Sequence, residues 1–197
     1  MLIGFMGAPI SGKTTTAARL FAGLKDDGYV AEFLPEQART HIARLRYEAA
    51  KNDEPVRQLD DLDQKDILLA QYEMEVVFTE TSPQSVIVTD CAAFLALLYM
   101  TPAVRHMHDV LPKARASAAR FDLLFRCHPV KPGDLYDPNR LHSFEQSQVL
   151  DAQLDEVLKL VGVGPEKVVE LVGPSHVRAS HARHALTESL LGQLCRH

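Results

Sequence analysis

The 197-residue chain lacks the features that mark several broad classes of protein. Its longest uninterrupted apolar run, residues 91–100, is far shorter than the about 20 residues that a membrane-spanning helix requires. No basic segment precedes the first apolar run, which argues against a cleaved secretory signal. We therefore expect a soluble protein that has no contact with a membrane.

The sequence also has few cysteines and no excess of positive charge. The three cysteines, Cys91, Cys127 and Cys195, are odd in number and widely spaced, which is typical of reduced thiols rather than of a disulfide framework or a zinc site. The formal net charge is −5, and charges of both signs are mixed along the chain. This balance disfavours broad, nonspecific binding of nucleic acid. The reduced thiols lead us to expect a cytoplasmic location, in the host cytoplasm if the protein is viral.

No internal repeat, low-complexity tract or linker divides the sequence. A length of 197 residues suits one domain with a sizeable core. We therefore predict that residues 1–197 form a single domain.

What the sequence does contain, close to its start, is a glycine-rich loop. Residues 7–14 read Gly-Ala-Pro-Ile-Ser-Gly-Lys-Thr and fill the pattern Gly-x-x-x-x-Gly-Lys-Ser/Thr. An apolar run, residues 1–6, precedes the loop as a predicted strand, and the helix-forming residues 14–25 follow it. The motif therefore stands in the strand, loop and helix context that a nucleoside triphosphate site requires.

Each position of the loop has a physical reason. Gly7 and Gly12 let the backbone approach the phosphates, so that successive N–H groups and the helix N-terminus face the anion. Lys13 can reach the β- and γ-phosphates, and the Thr14 hydroxyl is a ligand for Mg²⁺. We expect ATP and Mg²⁺ as cofactors. The residues predicted to bind the nucleotide are Gly7, Ser11, Gly12, Lys13, Thr14 and Thr15.

Strands and helices alternate along the rest of the chain. The predicted strands are residues 1–6, 29–34, 85–89, 121–127 and 168–172. The predicted helices after the loop helix include residues 36–50, 59–78, 91–100 and 143–161. Five short strands with helical crossovers predict an α/β fold of three layers, α/β/α, around a five-stranded parallel sheet, as in P-loop NTPases.

Ligands of such sheets bind outside the carboxyl ends of the strands. Asp90 follows the third predicted strand, where it could hold Mg²⁺, directly or through water, accept a proton from an attacking hydroxyl, or cap the next helix. Glu36 and Arg39 follow the second strand, where they could bind the hydroxyls of an acceptor or form an exposed ion pair. Either Asp90 or Glu36 could be the catalytic base.

Residues 129–140 contain three prolines, a glycine and charges of both signs, which predicts an irregular loop. Its position between a strand end and a helix suits a lid, at about residues 129–145, that closes over the nucleotide and excludes water. Arg140 is then the residue predicted to neutralise charge on the transferring phosphoryl group, with Lys131 second. An ordinary surface loop is the alternative.

Four segments together resemble a known family. They are the loop 7–14, Pro-Glu-Gln-Ala-Arg at 35–39, Ile-Val-Thr-Asp at 87–90, and Asp-Pro-Asn-Arg at 137–140. They are similar to the P-loop kinases related to the ribosylnicotinamide kinase domain of bacterial NAD-biosynthesis regulators. The resemblance implies ATP with Mg²⁺ and transfer of the γ-phosphoryl group to a nucleoside-like hydroxyl. It also implies that Asp90 is the catalytic carboxylate, that Glu36 and Arg39 lie on the acceptor side, and that Arg140 lies in the lid.

Three functions fit these residues. The first is a kinase for a small nucleoside-like acceptor. The second is a kinase acting on hydroxymethylated pyrimidines within DNA, as in viral members of the group, which would need basic residues between 105 and 120 to form a groove beside the site. The third is a module that hydrolyses or senses nucleotide. A switch GTPase is disfavoured because no Asn-Lys-x-Asp motif occurs.

Overall fold

The structure is a computed structural model that describes residues 1–130 and 143–194. Lys131 and Arg140 lie outside the described residues, as does most of the predicted lid. Five strands are present: β1 Leu2–Met6, β2 Ala31–Leu34, β3 Val86–Thr89, β4 Leu123–Cys127 and β5 Val168–Leu171. The α-helices are α1 Lys13–Asp26, α2 Gln37–Lys51, α3 Asp61–Thr81, α4 Pro102–Arg105, α5 Leu111–Arg120, α6 Phe144–Val161 and α7 Ser175–Leu194. Short 3₁₀ helices span Ala93–Tyr99 and Pro165–Lys167.

The strands form one parallel sheet in the order β2-β3-β1-β4-β5, which confirms the predicted fold class. Leu34 at the end of β2 pairs with Thr89 at the end of β3, and Thr89 also pairs with Gly4 of β1. Because parallel strands all end on the same side of a sheet, the residues that follow β1, β2 and β3 meet at one edge of the sheet. The glycine-rich loop, Glu36 and Asp90 all lie at this edge.

Both faces of the sheet are covered, and β1 shows how its side chains alternate between them. Leu2 and Met6 belong to the apolar cluster formed with α3, α5, α6 and the first 3₁₀ helix. Ile3 and Phe5 belong to the opposite cluster, formed with α1 and α7. All five residues of β1 are buried, as expected for a central strand of a parallel sheet.

The apolar stretch 91–100, predicted as an ordinary helix, instead contains the 3₁₀ helix Ala93–Tyr99. Its residues 93–98 are all buried, because the segment packs against α3, α5 and α6 at the same time. A helix enclosed in this way has no polar face, so the sequence carries no 3.6-residue periodicity that would indicate the type of helix.

A buried carboxyl group joins three of these elements. Glu75 of α3 is fully buried, and its Oε1 accepts a hydrogen bond from the backbone N–H of Ala93 at 2.7 Å. Its Oε2 lies 2.6 Å from the hydroxyl of Ser117 on α5. Burial raises the pKa of Glu75 to about 7, against the lowering effect of these two hydrogen bonds.

None of the helices in the described ranges combines the length and hydropathy needed to cross a membrane.

Candidate active site

The glycine-rich loop lies between the end of β1 and the start of α1. Gly7 has a φ of +137°, and a Cβ atom there would lie 2.0 Å from the carbonyl oxygen of Cys127, so only glycine fits. Gly12 has a φ of +77° and is the N-cap residue of α1. Ile10 has a φ of +65°, a strained conformation for a β-branched residue. The loop therefore leads directly into the helix N-terminus, a position that suits an anion.

The first residues of α1 carry polar groups beside this loop. The Nζ atom of Lys13 donates a hydrogen bond to the carbonyl of Ala8 at 3.0 Å. The hydroxyl of Thr14 accepts a hydrogen bond from Nη2 of Arg39 at 3.0 Å. Thr15, also predicted to bind nucleotide, is exposed in the first turn of α1. The structure thus brings Arg39, predicted to lie on the acceptor side, next to Thr14 and Lys13. Thr14 was predicted to bind Mg²⁺, and Lys13 was predicted to bind the phosphates.

Asp90 directly follows β3 and is only 2% exposed. Its Oδ1 is buried and has no hydrogen-bond partner among the described residues. The hydroxyl of Ser11, within the glycine-rich loop, is buried and unpartnered in the same sense. The next helical segment has Ala92 as its N-cap residue and no side-chain cap, so the alternative that Asp90 caps it is wrong. Buried polar atoms are normally satisfied, and these two atoms therefore suit a polar ligand.

The oxygen atoms at the loop suit Mg²⁺. This ion prefers oxygen ligands and is usually held by one or two protein groups, substrate phosphates and water. The unpartnered carboxylate oxygen of Asp90 and the hydroxyl of Thr14 are oxygens of this kind at the end of the sheet where the loop lies. Thr14 and Asp90 therefore fit the metal role predicted for them.

A cavity opens beside the loop, between α2, α3 and the first 3₁₀ helix; we call it the near cavity. Gly7, Lys13 and Glu36 line the part next to the loop. Other residues that line it include Gln64, Gln71, Cys91 and Tyr99. Burial raises the pKa of the Cys91 thiol and of the Tyr99 phenol, and the nearby Glu36 carboxylate adds to both shifts. Both groups therefore stay protonated at neutral pH.

A second and larger cavity, the far cavity, adjoins the first. Gln64 and Tyr99 line both cavities. The far cavity is also lined by apolar side chains of α2 and of the segment before α3, by two arginines and by two further glutamines: Ile42, Leu45, Val56, Leu59, Arg46, Arg57, Gln58 and Gln146. Apolar walls with polar groups at a few points are typical of a site for a small organic molecule.

The ion pair predicted as one alternative for Glu36 and Arg39 is present. Nε of Arg39 lies 3.1 Å from Oε2 of Glu36, and the Arg39 side chain is 65% exposed. Such an exposed pair contributes little to stability. It does not remove Glu36 from the near cavity, which the carboxylate still lines.

Gln71 was not predicted as a site residue, although it fixes the geometry of the site. Its Oε1 accepts a hydrogen bond from the backbone N–H of Gln37 at 2.8 Å, and its Nε2 donates to the Thr89 hydroxyl at 3.4 Å. These bonds hold the start of α2, next to Glu36, against the end of β3, next to Asp90. One sequence feature could have indicated this role: Gln71 is a polar residue on the otherwise apolar face of the predicted helix 59–78.

In the part of the chain that the structure describes, the basic residues between 105 and 120 make their contacts with neighbouring helices and loops. Arg120 ends α5 just before β4 begins, and therefore lies toward the sheet edge opposite the loop. Lys113 lies over the ring of Tyr72, 4.9 Å from its centre. Three arginines donate hydrogen bonds to neighbouring elements: Arg105 to the Met100 carbonyl at 2.9 Å, Arg115 to the Leu160 carbonyl at 3.1 Å and Arg120 to the Thr79 hydroxyl at 3.0 Å. Their packing contacts give no support to an acceptor within DNA.

The sheet order, the strained loop and the helix that follows it define a nucleotide-binding domain of the P-loop class. The sequence profile of the AAA domain family matches residues 2–172, and the chain belongs to that family. Comparison with curated proteins gives no match.

Two solved structures show the same fold. The NadR protein in complex with NAD and AMP-PNP has a TM-score of 0.66 and 22% sequence identity, over 95% of this chain and 49% of that chain. The NadR protein in complex with NR has a TM-score of 0.65 and 24% identity, over 96% of this chain and 51% of that chain. The chain spans about half the length of both. The resemblance to P-loop kinases of this group is confirmed at the level of the fold.

Proposed function

We propose that the protein is an ATP-dependent kinase that transfers the γ-phosphoryl group to a hydroxyl of a nucleoside-like acceptor. The observation that carries this proposal is that Lys13 of the phosphate loop and the Glu36 carboxylate line the same cavity. A nucleotide bound at the loop would direct its γ-phosphate toward this cavity. An acceptor hydroxyl held there would be close to both the phosphate and a carboxylate.

The proposed roles follow from which groups line the cavity. Glu36 lines it, whereas Asp90 is almost fully buried beside it. We therefore propose that Glu36 accepts the proton of the acceptor hydroxyl, and that Asp90 and Thr14 bind the metal ion. When bound, Mg²⁺ neutralises charge on the β- and γ-phosphate oxygens. Lys13 supplies a further positive charge to the same phosphates.

The chemical step is a single displacement. The acceptor oxygen forms a bond to the γ-phosphorus while the bond from that phosphorus to the β–γ bridging oxygen breaks, and ADP leaves with the electron pair. The hydroxyl proton passes to the Glu36 carboxylate. Arg140 is proposed to neutralise the transferring group on the basis of its sequence position.

The two adjoining cavities support a nucleoside-like acceptor. The near cavity would take the sugar hydroxyls, because it contains Glu36 and lies next to the loop. The far cavity would take the base, because its apolar walls and glutamine amides can sandwich and hydrogen-bond a flat heterocycle. One similar NadR structure contains the ligand NR, which is a further reason to test nucleosides first.

A transfer assay tests the proposal. The protein is incubated with γ-labelled ATP and Mg²⁺, together with nucleosides, nucleotides or duplex DNA that contains hydroxymethylated pyrimidines. We expect label on a nucleoside and none on DNA. Label on DNA alone would overturn the choice of acceptor. Release of ADP at the same rate with and without every acceptor would show a nucleotide hydrolase instead.

A further inference from the structure

Arg178 of α7 reaches the phosphate loop from the side opposite the cavities. The residue is 5% exposed, and its Nη1 donates a hydrogen bond to the carbonyl of Ser11 at 2.5 Å. Its Nη2 donates to the carbonyl of His128, just after β4, at 3.5 Å. A Cβ atom built on Gly12 would lie 3.9 Å from Nη1, with no closer atom. The guanidinium group thus lies directly against the backbone that would surround the phosphates.

This buried cation has no anionic partner in the part of the chain that the structure describes. No carboxylate of those residues lies within ion-pair distance of Arg178, and its Nε atom has no hydrogen-bond partner there. The other buried arginine, Arg126, has an ion pair with Asp155 at 2.6 Å. A buried charge without a counter-charge is costly, so an anion nearby would stabilise the guanidinium group.

A bound phosphate group would be that anion. The N–H groups around Gly12 and at the start of α1 form the place where the loop would hold phosphates. Lys13 approaches the loop from the cavity side, and Arg178 lies behind Ser11. The two cations therefore flank the same stretch of backbone.

We propose that Arg178 is a positioning residue of the nucleotide site, whose buried charge stabilises bound phosphates through the loop that it holds. The proposal rests on the proposed function, because it requires ATP at the loop. Arg178 does not touch the reacting atoms. It supplies positive potential from behind the loop and fixes the carbonyls of Ser11 and His128.

The test compares Arg178→Gln with Arg178→Lys and with the unaltered chain. Arg183→Gln is the matched control, because Arg183 lies on the same helix but forms an ion pair with Asp27 at the protein surface. Two quantities are measured for each protein: the midpoint of denaturant unfolding without ligand, and the Kd of AMP, ADP and ATP by calorimetry.

Arg178→Gln should bind ADP and ATP about tenfold more weakly, the size of a charge-assisted contribution. Its affinity for AMP should change less than about twofold, because AMP lacks the further phosphates that the loop would hold. Without ligand it should unfold at about the same denaturant concentration, because removal of an unpaired buried charge offsets the loss of the hydrogen bonds to Ser11 and His128. Arg178→Lys keeps the charge and should recover most of the affinity. Arg183→Gln should change neither quantity.

A purely structural role for Arg178 would give a different result. Arg178→Gln would then unfold at a lower denaturant concentration, and the affinities for AMP, ADP and ATP would fall by one common factor. That outcome overturns the proposal. If Arg178→Gln does not fold, Arg178→Lys is measured in its place. An equal loss of affinity for AMP and ATP in that variant would also overturn the proposal. No binding of ATP by the unaltered protein would instead overturn the proposed function.

Discussion

Lys13 is the side chain on which the proposed phosphoryl transfer depends most directly. It begins α1 beside the loop and lines the near cavity, toward which we propose that the γ-phosphate is directed. Lys13→Ala should fold normally, because the side chain is not part of either apolar cluster. It should lose about 10²-fold or more in kcat, since phosphate charge is left unneutralised. Lys25→Ala, in the last turn of the same helix, is the control for the folded state.

Asp90 and Glu36 should respond differently to loss of charge. Asp90→Asn should raise the Mg²⁺ concentration needed for half-maximal activity, because an oxygen of the proposed metal site is replaced by an amide. Glu36→Gln should leave that concentration unchanged and lower kcat, because the acceptor hydroxyl loses its proposed proton acceptor. Steady-state kinetics over a range of Mg²⁺ concentrations measure both effects. The reverse pattern would make Asp90 the base.

The residues of the loop could be predicted because their roles are local. Gly7 and Gly12 are required by the backbone itself, and Lys13 follows them in a fixed spacing. Arg178 could not be predicted in this way, since it meets Ser11 across 167 positions of sequence. A long-range contact of one arginine leaves no periodic pattern in the chain. Gln71 lies between these cases, because its helix was predicted but its hydrogen-bond partners were not.

Among the secondary-structure elements, the strands were predicted best, with differences at their ends. The predicted strand 29–34 begins two residues later, at Ala31, because Tyr29 and Val30 lie at the surface. The predicted strand 168–172 ends at Leu171, and Val172 is 66% exposed. β-Branched and aromatic residues are favoured in strands, but they occur at exposed strand ends as well. The exact ends depend on pairing with neighbouring strands.

The contact of α3 with α5 and the first 3₁₀ helix should make stability depend on pH through Glu75. Its pKa is raised from 4.5 to about 7 in the folded protein. Between these values the folded state keeps a proton that the unfolded state has lost, so stability falls as pH rises through this window and levels off above it. The loss is about 3 kcal/mol at most, from the size of the shift. Urea unfolding between pH 4.5 and 8.5 measures it.

Glu75→Gln should remove this dependence and be more stable than the unaltered protein at pH 8. A glutamine can still accept from the Ala93 N–H and donate to the Ser117 hydroxyl, which replaces both contacts of the protonated carboxyl. Glu73→Gln, at an exposed position on the same helix, is the control. If Glu75→Gln and the unaltered chain lose stability in parallel across this pH range, then Glu75 is ionised throughout and the expectation is wrong.

For the whole molecule, the family match and the folded unit do not end at the same residue. The match ends at residue 172, whereas α7 begins at Ser175. Helix α7 packs on α1, and its residues Ala182 and Leu186 belong to the apolar cluster on that face of the sheet. The helix also carries Arg178, which holds the loop. The three-layer domain therefore needs chain beyond the matched region.

A chain that ends at residue 172 should consequently fail to fold cooperatively. It would lose Ala182 and Leu186 from the core and expose Leu20 and Leu24 of α1, at a cost of about 5 kcal/mol or more from the apolar area returned to water. That cost is comparable with the total stability of a domain of this size. Circular dichroism during urea unfolding, together with ATP binding, measures the effect. A chain that ends at residue 194 keeps α7 and should behave as the unaltered protein. If the chain ending at 172 shows a sigmoidal unfolding transition and binds ATP, α7 is an accessory to the domain, and the role assigned to Arg178 falls with it.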